Sequence, residues 1–99
     1  MPSKPIHPGE ILIGELEAVN MSASDISKAI YVPVNRISQI LSGRRGISAD
    51  TALRLGKFFG TGPQFWLNLQ MSYELDLASG DNESKLADIV PLPRTAAII

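Results

Sequence analysis

Residues 34–41 read VNRISQIL, and their polar members are of the kind that pair with the edges of bases. The amides of Asn35 and Gln39 can each make two hydrogen bonds to adenine, the Arg36 fork matches guanine, and Val34 can pack on a thymine methyl. Ser38 adds a hydroxyl that donates or accepts. Ile37, Ile40 and Leu41 lie three and four apart, which is one stripe of a helix. Burying that stripe leaves Val34, Asn35, Ser38 and Gln39 outward, with Arg36 on the flank. Such a face meets water, another protein or base pairs, and the surrounding elements must decide which.

Five helices are predicted. The first spans Pro8 to Val19: proline suits the first helical position and Glu10 the first turn, and Ile11, Leu12, Leu16 and Val19 repeat with helical spacing. His7 is a helix-start residue. The second spans Ser22 to Ile30, with Ser22 as N-cap, Asp25 closing a capping box, and Ile26, Ala29 and Ile30 as its apolar side. Pro33 makes Val32 extended and opens the third helix, which runs to Leu41, where Gly43 caps it. Ser48 caps a fourth helix that ends at Phe59–Gly60, with Asp50 and Arg54 paired four apart on its surface. Pro63 opens a fifth, to Leu77, before the turn-like SGDNES. The expected class is all-α, with a domain over residues 1–79 and a tail over 80–99.

The 99 residues, 44% of them hydrophobic, suit one domain with a real core. The absence of cysteine rules out a disulfide framework and thiolate metal sites, and one histidine builds no zinc site, so no metal or cofactor is expected. The N-terminus does not read as a secretory signal, and no apolar run approaches the roughly 20 residues of a membrane span. A cytoplasmic protein without a membrane partner is the expectation. No catalytic constellation exists: Glu10, Glu15 and Glu17 read as a solvated face, and Gly43 and Gly46 bracket two arginines without a phosphate-loop pattern. Net charge is −1, but residues 20–60 carry +4 between flanks of −2 and −3. Positive charge is thus confined to the middle of the chain.

The second and third helices form a helix-turn-helix candidate, in which the second member enters the major groove with its N-terminal residues at base edges. Val34, Asn35, Arg36, Ser38 and Gln39 are then the base-reading candidates, Arg36 reading a base or a phosphate. Ser22 and Ser24 at one helix start, Pro33 at the next, and Arg44 and Arg45 beyond it are the phosphate candidates. The runs HPGEIL, NRISQILSGRRGISADTALRL and FFGTGPQFWLNLQMSYEL, over residues 6–77, resemble the HigA/VapI family of antitoxin transcription regulators. These belong to the Xre, lambda-repressor-like helix-turn-helix class. The resemblance implies a small helical homodimer that represses its own operon at a palindromic operator. It further implies a cognate HigB-type toxin, which cleaves messenger RNA on the ribosome, although some members have none. A solitary regulator, or a partner-binding module with vestigial DNA binding, stays open as an alternative.

Four positions depart from the family pattern: Tyr31 stands where glycine is usual in the turn, Ser27 replaces alanine, Gly62 replaces a capping serine, and Ala23 replaces a glutamine that contacts phosphate. Tyr31 must strain or reshape the turn. The last helix is apolar around more of its circumference than one small core needs, through Phe65, Trp66, Leu67, Leu69, Tyr73 and Leu77. With the resemblance, this makes Phe65, Trp66, Leu69 and Tyr73 the candidate dimer interface. A symmetric interface would fix two recognition helices roughly 34 Å apart, one DNA turn. Asn68 and Gln70 are expected as exposed or rim positions of this helix, and Met21 and Met71 as core filler.

Overall fold

The computed structural model describes residues 4–93, all of whose regular elements are helices: α1 Pro8–Ala18, α2 Ala23–Ile30, α3 Val34–Leu41, α4 Ala49–Phe59, α5 Pro63–Asp81 and α6 Glu83–Ala87. The starts follow the expected caps. His7 Nδ1 accepts from the Gly9 amide at 2.8 Å while Glu10 accepts from the His7 amide at 3.2 Å, a capping box before Pro8. Ser22 and Asp25 form the reciprocal pair at α2, and Ser48 caps α4 through the Thr51 amide. Pro33 is the N-cap of α3 rather than its first residue.

The C-terminal end differs from expectation. α5 continues through Ser79 and Gly80 to Asp81, so the boundary expected after residue 79 falls inside a helix. Neither residue breaks a helix already formed; a glycine there costs only about 1 kcal/mol relative to alanine. The break comes at Asn82, whose amide and side chain both donate to the Ala78 carbonyl, and α6 follows. Residues 94–99 of the expected tail lie outside the described residues.

One core draws on all five long helices. Leu12 and Leu16 of α1, Ile26 and Ile30 of α2, Ile37 and Ile40 of α3, Ala52 and Leu55 of α4 and Trp66 of α5 are buried together, joined by Val32 and Ile47 from the connections. Leu41 is half-buried against them, and Ala29, expected on the apolar side of α2, is exposed. Ser27 is buried with its hydroxyl donating to the Ser24 carbonyl, so it substitutes for alanine without an orphaned polar group. α1 crosses the C-terminal half of α3 at Gly9, where an added Cβ would collide with the Ile40 carbonyl. Gly62, before α5, has φ 84° and ψ 163°, a region essentially reserved for glycine. Its role is therefore backbone geometry, and α5 starts without a side-chain cap.

Gly9→Ala is expected to lower stability by about 1–3 kcal/mol, because backbone must move to admit the methyl. Gly14→Ala, on the exposed side of the same helix where a Cβ meets nothing, is expected to raise it by about 0.5–1 kcal/mol. Urea midpoints of the two variants against the parent check both signs.

Candidate nucleic-acid interface

The core dictates what α3 shows. With Ile37 and Ile40 fully buried, Val34, Asn35 and Ser38 emerge exposed, as their spacing requires, and Gln39 stands half-buried beside them. The helix ends in a Schellman motif: the Arg44 amide donates to the Gln39 carbonyl at 2.8 Å and the Gly43 amide to that of Ile40 at 3.1 Å, with Gly43 at φ 81°. The reversal brings Arg45 back along α3, where its Nε donates to Gln39 Oε1 at 2.8 Å. Because an arginine nitrogen can only donate, this bond fixes which end of the Gln39 amide is oxygen. Nε2, a donor, is turned away from Arg45. Arg44 is exposed alongside.

Arg36 is not a free cation. Its Nη1 contacts Asp50 Oδ2 at 2.8 Å, across from α3 to the start of α4. The same carboxylate accepts from Arg54 Nε at 3.1 Å through each oxygen, the expected i,i+4 pair. Arg54 Nη1 in turn donates to the carbonyls of Ile30 at 2.8 Å and Tyr31 at 3.1 Å. Arg54, foremost, and Arg36 hold the Asp50 carboxyl below its ordinary pKa. The Ser22 amide, and then its hydroxyl, do the same for Asp25.

Tyr31 settles the question its position raises. It takes the left-handed conformation, φ 59° and ψ 49°, so the turn keeps its form and the residue carries the strain. Its side chain is 85% exposed. At the start of α2, Ser22 is occupied on both amide and hydroxyl by the capping box, and the Asp25 carboxylate shares that end. Ser24 stays exposed beside the first amides of the helix.

On α5 the expected interface divides. Trp66 is fully buried within one chain, tilted against Phe59 at 5.8 Å and edge-on to Phe65 at 5.1 Å, and has no surface to offer a partner. Helical spacing puts it on an apolar face but cannot say which body fills that face. Leu69 is half-buried against the core, and Tyr73 packs edge-on against His7 at 4.9 Å. Phe65, Met71, Leu75 and Leu77 are the exposed apolar residues of α5, so Met71 is surface and not filler. Gln70, expected as an exposed or rim position, is structural: its Oε1 accepts from the Ile47 amide at 2.7 Å and its Nε2 donates to Glu74 at 2.7 Å. It pins the loop that follows α3. Its position one turn beyond Trp66, on the inward face, was the available signal.

Among the described residues no group of histidines and carboxylates could hold a metal ion, and no helix is long and apolar enough to cross a membrane. The helix-turn-helix family matches residues 15–66. Virulence-associated protein I of Dichelobacter nodosus is 47% identical over 92 residues, which cover 92% of this chain and 84% of that protein. An addiction module antidote protein of the HigA family from Coxiella burnetii superposes with a TM-score of 0.88 at 49% identity, over 91% of this chain and 100% of that one. The chain belongs to the HigA-type helix-turn-helix family. The Pseudomonas aeruginosa antitoxin HigA, solved with the higBA promoter, superposes on this HigA-type chain with a TM-score of 0.85 at 42% identity, over 91% and 100% of the two chains. The family is one of regulators and antidotes, not of enzymes.

Two stability effects follow from the turn and its carboxylates. Tyr31→Gly is expected to raise stability by roughly 0.5–1 kcal/mol, the relief of left-handed strain outweighing the extra freedom of an unfolded glycine. Urea midpoints measure it. Asp25 and Asp50 have folded pKa values below their unfolded ones, so their contribution is complete above the ordinary carboxylate range and is lost as pH falls through the depressed values. Asp25→Asn with Asp50→Asn is expected to lower the urea midpoint at neutral pH and to flatten its decline on acidification.

Proposed function

We propose that this HigA-type chain is a sequence-specific transcriptional repressor that reads a palindromic operator as a homodimer and neutralises a cognate toxin. The observation that carries the reading is the outer face of α3. Val34, Asn35, Ser38 and Gln39 project beyond a helix whose other side is sealed into the core, with Arg44 and Arg45 at its end. A rigid helix with amides at base-edge spacing and cations where the phosphates pass is what direct readout requires. The Pseudomonas relative, solved with promoter DNA, supports DNA as the ligand. Ser24 and the amides of α2 are assigned to backbone phosphate, together with Pro33 at the start of α3. Ser22 contributes through the helix start it caps.

Pairing rests on α5. Phe65, Met71 and Leu75 fall within about 120° of one another around α5 and leave an apolar strip on the surface of a single chain, and a two-fold interface there would give the pair of reading helices a fixed separation. Trp66 stands behind Phe65, edge-on at 5.1 Å, and Leu69, Tyr73 and Leu77 lie on the side of α5 that Trp66 shares. Toxin neutralisation is drawn from the antidote relatives. The toxin is taken to be a HigB-type ribonuclease encoded beside the chain. If co-expression of that neighbour arrests growth and this chain fails to relieve the arrest, the protein is a solitary regulator.

Binding to a duplex carrying the sequence upstream of the chain's own gene tests the DNA reading. Asn35→Ala or Gln39→Ala is expected to cost about 1–3 kcal/mol on that duplex and to relax preference at one position per half-site. Arg45→Ala is expected to weaken binding to every duplex and to reduce the salt slope by about one. Equal losses on all sequences for the Asn35 and Gln39 variants would show that these side chains do not read bases.

A further inference from the structure

We infer that Asp50 is a positioning residue for base readout: it fixes Arg36 so that α3 demands a guanine at one position of each half-site. The inference rests on the proposed DNA reading of α3 and adds a base identity and a residue outside the recognition helix.

A guanidinium has two usable edges. Asp50 Oδ2 takes Nη1 of Arg36 at 2.8 Å, which leaves the edge formed by Nε and Nη2. Among the described residues neither of these nitrogens makes a hydrogen bond within the chain. Two parallel donors on a planar edge match guanine O6 and N7, which are both acceptors, and do not match the acceptor–donor pair of adenine. Asp50 can hold Arg36 in one pose because it is itself held. Arg54 Nε lies 3.1 Å from each of its oxygens, and Arg54 is tied to the carbonyls of Ile30 and Tyr31. The Arg36 side chain is 29% exposed, so it is partly packed yet still reaches the surface.

This arrangement discriminates. A guanine contact through Nε and Nη2 keeps the Asp50 bond, whereas swinging the guanidinium to a passing phosphate breaks it. Asp50 also sets an anion beside a surface that meets a polyanion, so random duplex gains little from Arg36. Removing the carboxylate charge frees the arginine for phosphate and erases the preference.

Selection of bound duplexes from a random-sequence DNA pool, with the full chain as wild type, Asp50→Asn and Arg36→Gln, tests this. The wild type is expected to enrich a motif with a guanine that Arg36→Gln no longer selects. Asp50→Asn is expected to reduce selection of that same guanine about tenfold, with the positions read by Asn35 and Gln39 retained. A variant that merely loosened α3 would lose all positions together, and that result overturns the inference. On one random-sequence duplex, Asp50→Asn is expected to bind several-fold tighter with a salt slope steeper by about 0.9, and the double variant with Arg36→Gln is expected to lose the steeper slope. An unchanged guanine preference in Asp50→Asn overturns the role of Asp50 while leaving the DNA reading intact. A wild type that enriches no motif overturns the DNA reading itself.

Discussion

Where α2 ends, the carbonyls of Ile30 and Tyr31 are left without helical partners, and the turn that follows is too short to supply them. Arg54 of α4 supplies both, at 2.8 and 3.1 Å. This one guanidinium thereby ties the end of α2 and the turn before α3 to α4. Further restraints are the burial of Ile30, Val32 and Ile37 and the bonds from the Tyr31 and Val32 amides to the Ser27 carbonyl. It also explains how a tyrosine can occupy a left-handed position. Strain of this kind persists only where surrounding contacts over-determine the backbone, and here the carbonyl of the strained residue is itself held. Through Asp50 the same arginine reaches the flank of α3, so α4 governs both the turn and one edge of that helix.

The other edge is governed from α5. The loop after α3 carries two arginines and two glycines, a composition that ordinarily gives a mobile segment. Gln70 prevents this by accepting from the Ile47 amide, and Ile47 is itself buried. With the Schellman motif at Gly43, both ends of the loop are fixed. Arg45 is thereby placed to orient the Gln39 amide. Side chains that read a ligand gain most when their supports lie on rigid elements, because less ordering remains to be done on binding. Here the supports come from α4 and α5, so α3 is eight residues long yet does not rely on its own length for rigidity.

Helix positions and starts were legible in the sequence because their causes are local. The caps at His7, Ser22 and Ser48 act over three residues, and the apolar spacing of Ile37 and Ile40 reports burial directly. What was not legible is set by partners far along the chain. Arg36 meets a carboxylate 14 residues away, and Gln70 meets a backbone amide 23 residues away. Neither spacing leaves a periodic trace. Trp66 shows the complementary limit: an aromatic at helical spacing on a broad apolar face reads alike whether its own chain or a second copy covers it. The continuation of α5 past Gly80 is a third kind of case, where cooperativity of a long helix outweighs two poor formers.

A chain with net charge −1 is an unexpected candidate for contact with a polyanion, and the placement of its acids resolves this. In residues 20–60 the only acids are Asp25 and Asp50; one is closed into a cap and the other sits between two arginines. Arg44 and Arg45 make no ion pair among the described residues, and Arg45 is bonded to a neutral amide. The acids Asp76 and Asp81 lie further along α5 than Gln70, the point where that helix meets the loop after α3. At 1.5 Å per residue they are roughly 9–16 Å beyond it. Screening at physiological salt acts over about 8 Å, so charge on the far half of α5 and on α6 does little to cancel the arginines. The field at α3 is therefore weighted toward residues 36–57, with Glu74, bonded to Gln70, and Glu10, beside the crossing at Gly9, as the nearest acids of α5 and α1, and the whole-chain sum describes a different property, the behaviour of the molecule at long range.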